Sequence, residues 1–101
     1  MRMLCRVELD TAAGNQALQD GSWGRMMEQV TGRLQPEVAY ALTLNGKRGA
    51  IFIFDLEEPS QIPTIAEPMF TVANASIDFT PVMTMDEVQA GLEDAARAAA
   101  G

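Results

Sequence analysis

"EVAYALTLNGKRGAIFIFDL", residues 37 to 56, holds two apolar, strand-forming runs joined by Asn45-Gly46. Asn and Gly both tolerate positive φ, as a two-residue type I′ turn requires, so the stretch predicts an antiparallel hairpin of the second and third strands. Within it, "AIFIF" does not alternate with polar residues. It must place apolar side chains on both sides of whatever sheet it enters.

Upstream, "MLCRVELD" alternates Met3, Cys5, Val7 and Leu9 with Leu4, Arg6 and Glu8, the period of two of a first strand. Thr11 can cap the next segment, where Ala13, Ala17, Gly24, Met27, Val30 and Leu34 recur at roughly helical spacing until Pro36. This is a first helix. Gly14, Gly21, Gly24 and Gly32 weaken it, so a break near Asp20-Gly21 is compatible with the pattern.

Downstream, Ser60 can cap a short helix carrying Ile62, Ile65 and Ala66, with Pro63 in its first turn and Pro68 ending or kinking it. In "TVANASIDFT", Ala73, Ala75, Ile77 and Phe79 face one way and Asn74, Ser76, Asp78 and Thr80 the other, predicting a fourth strand. Pro81 should finish it. "TMDEVQAGLEDAARAAA" then opens a last helix with the capping box Thr84-x-x-Glu87, and Asp86 and Glu87 suit the positive end of its dipole.

The order is β-α-β-β-α-β plus a C-terminal helix, an α+β chain of the ferredoxin-like split βαβ type forming one domain over residues 1–101. Right-handed crossovers put both main helices on one face of the sheet. The opposite face carries Leu4 and half of "AIFIF" with nothing to cover them. An apolar sheet face of that kind predicts a homodimer with the two sheets face to face.

"QPEVAY", "NGKR", "AEPMF" and "NASIDFTPVMTMDEV" together resemble a family of small bacterial proteins described only as a domain of unknown function, the likeness running from about Gln35 to Leu92. That family is placed within the dimeric α+β barrel superfamily, so the resemblance implies a sheet-on-sheet dimeric barrel. It implies no single activity. Relatives in the superfamily include cofactor-independent quinone-forming monooxygenases, muconolactone-type isomerases and haem-degrading proteins. No catalytic residue carries over from them.

Composition narrows the function. Fourteen acidic against seven basic residues give a net charge of -7, which repels phosphate backbones and anionic lipid, so neither nucleic acid nor membrane is an expected partner. With 48% hydrophobic and 21% charged residues the chain should fold. The opening residues interrupt any signal-like apolar run at Arg6 and Glu8, and no stretch approaches the roughly 20 apolar residues of a membrane span, which makes cytoplasmic the expected location. The chain has no histidine, so the usual haem ligand and the commonest general base are missing. The single cysteine, Cys5, reads as a small buried hydrophobe. The acidic pairs Glu57-Glu58, Asp86-Glu87 and Glu93-Asp94 lie on separate elements, so no metal site and no cofactor is expected.

Candidate site residues fall into two groups. Asp78 and Glu67 are the candidate catalytic bases. Asp78 lies on a strand expected to neighbour Arg6, where a salt bridge is the default role and a general base the alternative. Glu67 lies before Pro68 at an expected helix end, where a carboxylate opposes the dipole unless a ligand offsets it. Trp23, Tyr40, Arg48 and Asn74 are the candidate ligand-binding residues, with Gly21 and Gly24 leaving room for a small apolar molecule between helix and sheet. Three functions stay open. The chain is a homodimeric binder of a small apolar or aromatic molecule, a cofactor-independent monooxygenase or isomerase working in the same pocket, or a purely structural, partner-binding dimer.

Overall fold

The computed structural model describes residues 1–101 as an α+β fold in the order β1 (Arg2–Glu8), α1 (Thr11–Gln19), α2 (Ser22–Leu34), β2 (Val38–Leu44), β3 (Lys47–Asp55), α3 (Gln61–Ala73), β4 (Ser76–Pro81) and α4 (Met85–Ala100). The strands form one antiparallel sheet in the order β2-β3-β1-β4. The hairpin turns where the sequence places it, with Asn45 at φ 53° and Gly46 at φ 77°.

Cross-strand register assigns the two faces. Met3, Cys5 and Val7 share theirs with Phe54, Phe52 and Ala50 of β3 and with Phe79 and Ile77 of β4. Here Met3, Cys5, Val7, Phe52 and Phe54 are buried, and with Met26 and Val30 of α2 and Ile65, Met69 and Ala73 of α3 they form a continuous core. Phe54 lies edge-on to Phe79 with ring centroids 6.4 Å apart, a favoured aromatic geometry. The opposite face carries Leu4, Arg6, Val38, Tyr40, Leu42, Ile51, Ile53, Asp78 and Thr80, none of them buried. It is the uncovered apolar face that "AIFIF" requires.

Backbone approach is closest at Gly49, where a Cβ would stand 2.8 Å from the Val7 carbonyl oxygen and 2.9 Å from Leu44 Cγ. Only glycine fits between those two strands without displacing one.

The expected first helix is two. Asp10, rather than Thr11, caps α1, its carboxylate accepting from the Ala13 N–H at 3.0 Å. Gly21, at φ 78°, turns the chain into α2. Hydrogen bonds from Ser22 hold the Asp20 carboxyl below its usual range at this corner. Gly24 is exposed with open space around it, so it makes no room between helix and sheet.

The third helix is longer than expected. It runs through Pro68 to Ala73, because continuing it buries Met69 and Ala73 completely, which outweighs the lost hydrogen bond of one proline. Ser60 makes no side-chain cap. Gln61 Oε1 instead accepts from the Glu57 and Glu58 N–H groups. The helix takes Thr71–Ala73 from the expected fourth strand, which starts at Ser76.

The capping box of α4 is complete: Thr84 N–H donates to Glu87 Oε1 at 2.9 Å and Glu87 N–H to Thr84 Oγ1 at 3.2 Å. The bond from the Thr84 N–H to the Glu87 carboxylate, helped by the Thr84 hydroxyl, lowers the Glu87 pKa. Arg2 Nη1 lies 3.7 Å from the Glu87 carboxylate and Arg97 pairs with Asp94, yet α4 buries no residue. No helix of the chain is long and apolar enough to cross a membrane.

Candidate functional site

β2 is an edge strand whose helix-side residues, Ala39, Ala41 and Thr43, are small and exposed. Ala50 continues this shallow floor on β3. The turn at Gly21 sets the end of α1 against the start of α2, so Leu18, 47% exposed, and Trp23 rise as a wall beside it. Leu9 and Met27 complete an apolar cleft of about 440 Å³, in the range of small-molecule sites. Exposed aromatic and aliphatic area of this kind stays wet in the isolated chain, and a ligand that covered it would gain roughly 25 cal/mol per Å².

One charged side chain lines the cleft, Arg48. It pairs in register with Thr43 on the helix side, and its Nη1 donates to Asn15 Oδ1 on α1 at 2.9 Å. The guanidinium packs beside α1 at Gly14, where a Cβ would stand 3.4 Å from Nη1, an ordinary van der Waals contact. The partner is neutral and no carboxylate lies within ion-pair distance, so Arg48 keeps its full charge and most of its five donors.

Of the four expected binding residues, Trp23, Tyr40 and Arg48 border this cleft. Tyr40 does so from the floor. Its register with Ile51 puts its ring, 64% exposed, on the open face of the sheet. Asn74 is elsewhere. It is the C-cap of α3 at φ 47°, ψ 45°, its N–H donating to Phe70 O at 3.0 Å, and it borders a separate hollow of about 210 Å³ with Asp10, Lys47 and Ser76. Asn is one of the few side chains that take the left-handed conformation readily, which accounts for the residue without a ligand.

Neither candidate base reaches the cleft. Glu67 is exposed on α3 and lies inside the helix rather than at its end, so the expected clash with the dipole does not arise. Asp78 is the cross-strand partner of Arg6 on the open face, but the two form no ion pair within 4.0 Å. Both are exposed, and water solvates them separately at little cost. Cys5 is fully buried in the core, and burial, with a smaller contribution from the Asp78 charge, pushes its thiol up to about 12. At neutral pH it is an inert hydrophobe. No three Cys, Asp or Glu side chains converge to hold a metal ion.

The sequence reading missed Leu9, Leu18 and the alanine floor. A signal was present in "AYALT", where small residues alternate with Tyr40 and Leu42, giving the edge strand one bulky face and one empty one.

Fold and site together define an α+β protein with an open antiparallel sheet and an apolar cleft holding one unpaired arginine. No family model matches the chain, and no curated protein matches it.

Proposed function

We propose that this chain is a small homodimeric α+β barrel protein of ferredoxin-like topology, and that it binds a small, largely apolar or aromatic molecule in the cleft between β2, β3 and the α1–α2 corner. The observation that carries the binding role is the cleft itself, about 440 Å³ walled by Leu18, Trp23 and Met27 over a floor of alanines. Its concavity and apolar lining are the features that small-molecule sites share.

The strand order, with β1 and β3 central, supports the ferredoxin-like topology. The sheet face bearing Leu4, Val38, Leu42, Ile51 and Ile53 supports the dimer, because an apolar surface of that breadth is unusual on a soluble monomer. Arg6 and Asp78 add to this. Each copy offers one unpaired cation beside one unpaired anion on that face, an arrangement that a two-fold axis makes self-complementary.

The test combines two variants. Ala41→Leu places a bulky side chain on the cleft floor, and Ile51→Lys places a charge at the centre of the open face. Titrating the protein with 2-naphthamide in a calorimeter should give saturable binding that Ala41→Leu abolishes. Light scattering should give twice the chain mass for the unaltered protein and the single mass for Ile51→Lys. Absence of binding by the unaltered protein of both 2-naphthamide and its carboxylate counterpart, 2-naphthoate, refutes the ligand role; a single mass for the unaltered protein refutes the dimer.

A further inference from the structure

We propose that the ligand of the cleft is an anion, an aromatic or short aliphatic monocarboxylate whose carboxylate is held by Arg48 while its apolar body lies against Trp23 and Met27. The inference rests on the cleft being a binding site, and it names the chemistry that site selects.

Three observations converge on it. Arg48 is the one charged side chain of a mostly apolar lining, so a ligand with one charged end and an apolar remainder matches the cleft in both parts. The guanidinium is also held in place before any ligand arrives. The hairpin fixes its backbone and Leu9 N–H donates to Arg48 O at 2.9 Å. Asn15 Oδ1 then accepts from Nη1, which lies beside Gly14 on the same helix. Preorganisation of this kind reduces the entropy lost on binding.

The third observation is charge. The chain carries fourteen acidic and seven basic residues, yet Arg48 is paired with a neutral amide and with no carboxylate. An amide takes one donor and leaves the positive charge uncompensated. A carboxylate can then accept two parallel N–H bonds from the planar fork, which a lysine could not offer. A neutral or cationic ligand would leave that charge unused beside the apolar floor.

The experiment compares 2-naphthoate with 2-naphthamide, which share a ring system and differ in charge, by calorimetric titration of the unaltered protein, Arg48→Gln and Arg48→Lys. Arg48 is exposed, so both variants should keep the thermal midpoint of the unaltered chain. Naphthoate should bind about ten-fold more tightly than naphthamide, the scale of a charge-assisted hydrogen-bonded pair. Arg48→Gln should bring the two ligands to equal affinity, Arg48→Lys should restore part of the difference, and rising salt should weaken naphthoate alone. Equal affinities in the unaltered protein, or a preference that survives Arg48→Gln, overturn the anion assignment while leaving the cleft as a binding site. Binding of neither probe to the unaltered protein overturns both.

Discussion

Gly49 allows the sheet's closest approach to be tested by adding one methyl group. In Gly49→Ala the new Cβ would stand 2.8 Å from the Val7 carbonyl oxygen and 2.9 Å from Leu44 Cδ1. The leucine can turn away. The carbonyl cannot, because Val7 is held in the β1–β3 ladder opposite Ala50. Overpacking of this order costs about 1–3 kcal/mol, and replacing glycine returns about 0.5–1 kcal/mol through the unfolded state, leaving a net loss centred on about 1 kcal/mol. For a domain of this size that lowers the melting midpoint by roughly 4–8 °C. Gly24→Ala is the control. Its Cβ meets nothing within 4 Å on an exposed helical position, so it should stabilise by about 0.5–1 kcal/mol. Urea unfolding at one fixed protein concentration measures both variants, and the midpoints should move in opposite directions at unchanged slope. A Gly49→Ala midpoint at or above that of the unaltered protein would refute the steric account.

Two further outcomes follow from the cap and the core. Asn74→Gly should leave stability within about 0.5 kcal/mol and Asn74→Ala should lose about 1 kcal/mol, because the position demands the left-handed conformation. Neither should change naphthoate binding, and a weakened titration would return Asn74 to the site. Cys5, with its thiol pushed up from 9.0 to about 12, binds its proton more tightly folded than unfolded. Its contribution is therefore fully present below pH 9.0 and is lost as pH rises towards 12, by about 1.4 kcal/mol per pH unit across that window. Urea midpoints measured against pH should fall more steeply for the unaltered protein than for Cys5→Ala, and parallel curves would contradict the assignment.

What the sequence made legible was local chemistry with a single geometric solution. Asn45-Gly46 specifies a turn, Thr84-x-x-Glu87 a helix start, and the alternation Met3-Cys5-Val7 a buried face; each holds in the structure. Reading failed where a local preference competed with burial. Pro68 argues for a helix end, but Met69 and Ala73 beyond it are worth more buried than the bond the proline forfeits, and the helix continues. That extension carries Asn74 from a strand face to a cap and leaves Glu67 in mid-helix. The cleft was half legible. Trp23 and Arg48 advertise themselves by type, whereas Leu18 and the alanine floor matter through what they leave empty, and emptiness has no residue type.

The unburied α4 has a consequence for how large the molecule looks in solution. With that helix extended, the Cα radius of gyration is 16.7 Å and the longest axis 59 Å. A compact chain of 101 residues would give about 13 Å, and 16.7 Å is what a compact globule of about twice the length shows. A single copy holding α4 free would therefore elute from a sizing column where a folded-in pair of copies elutes. Diffusion and elution report the reach of this helix as much as the number of chains, and a change in elution after mutating α4 would record its docking even at constant molar mass.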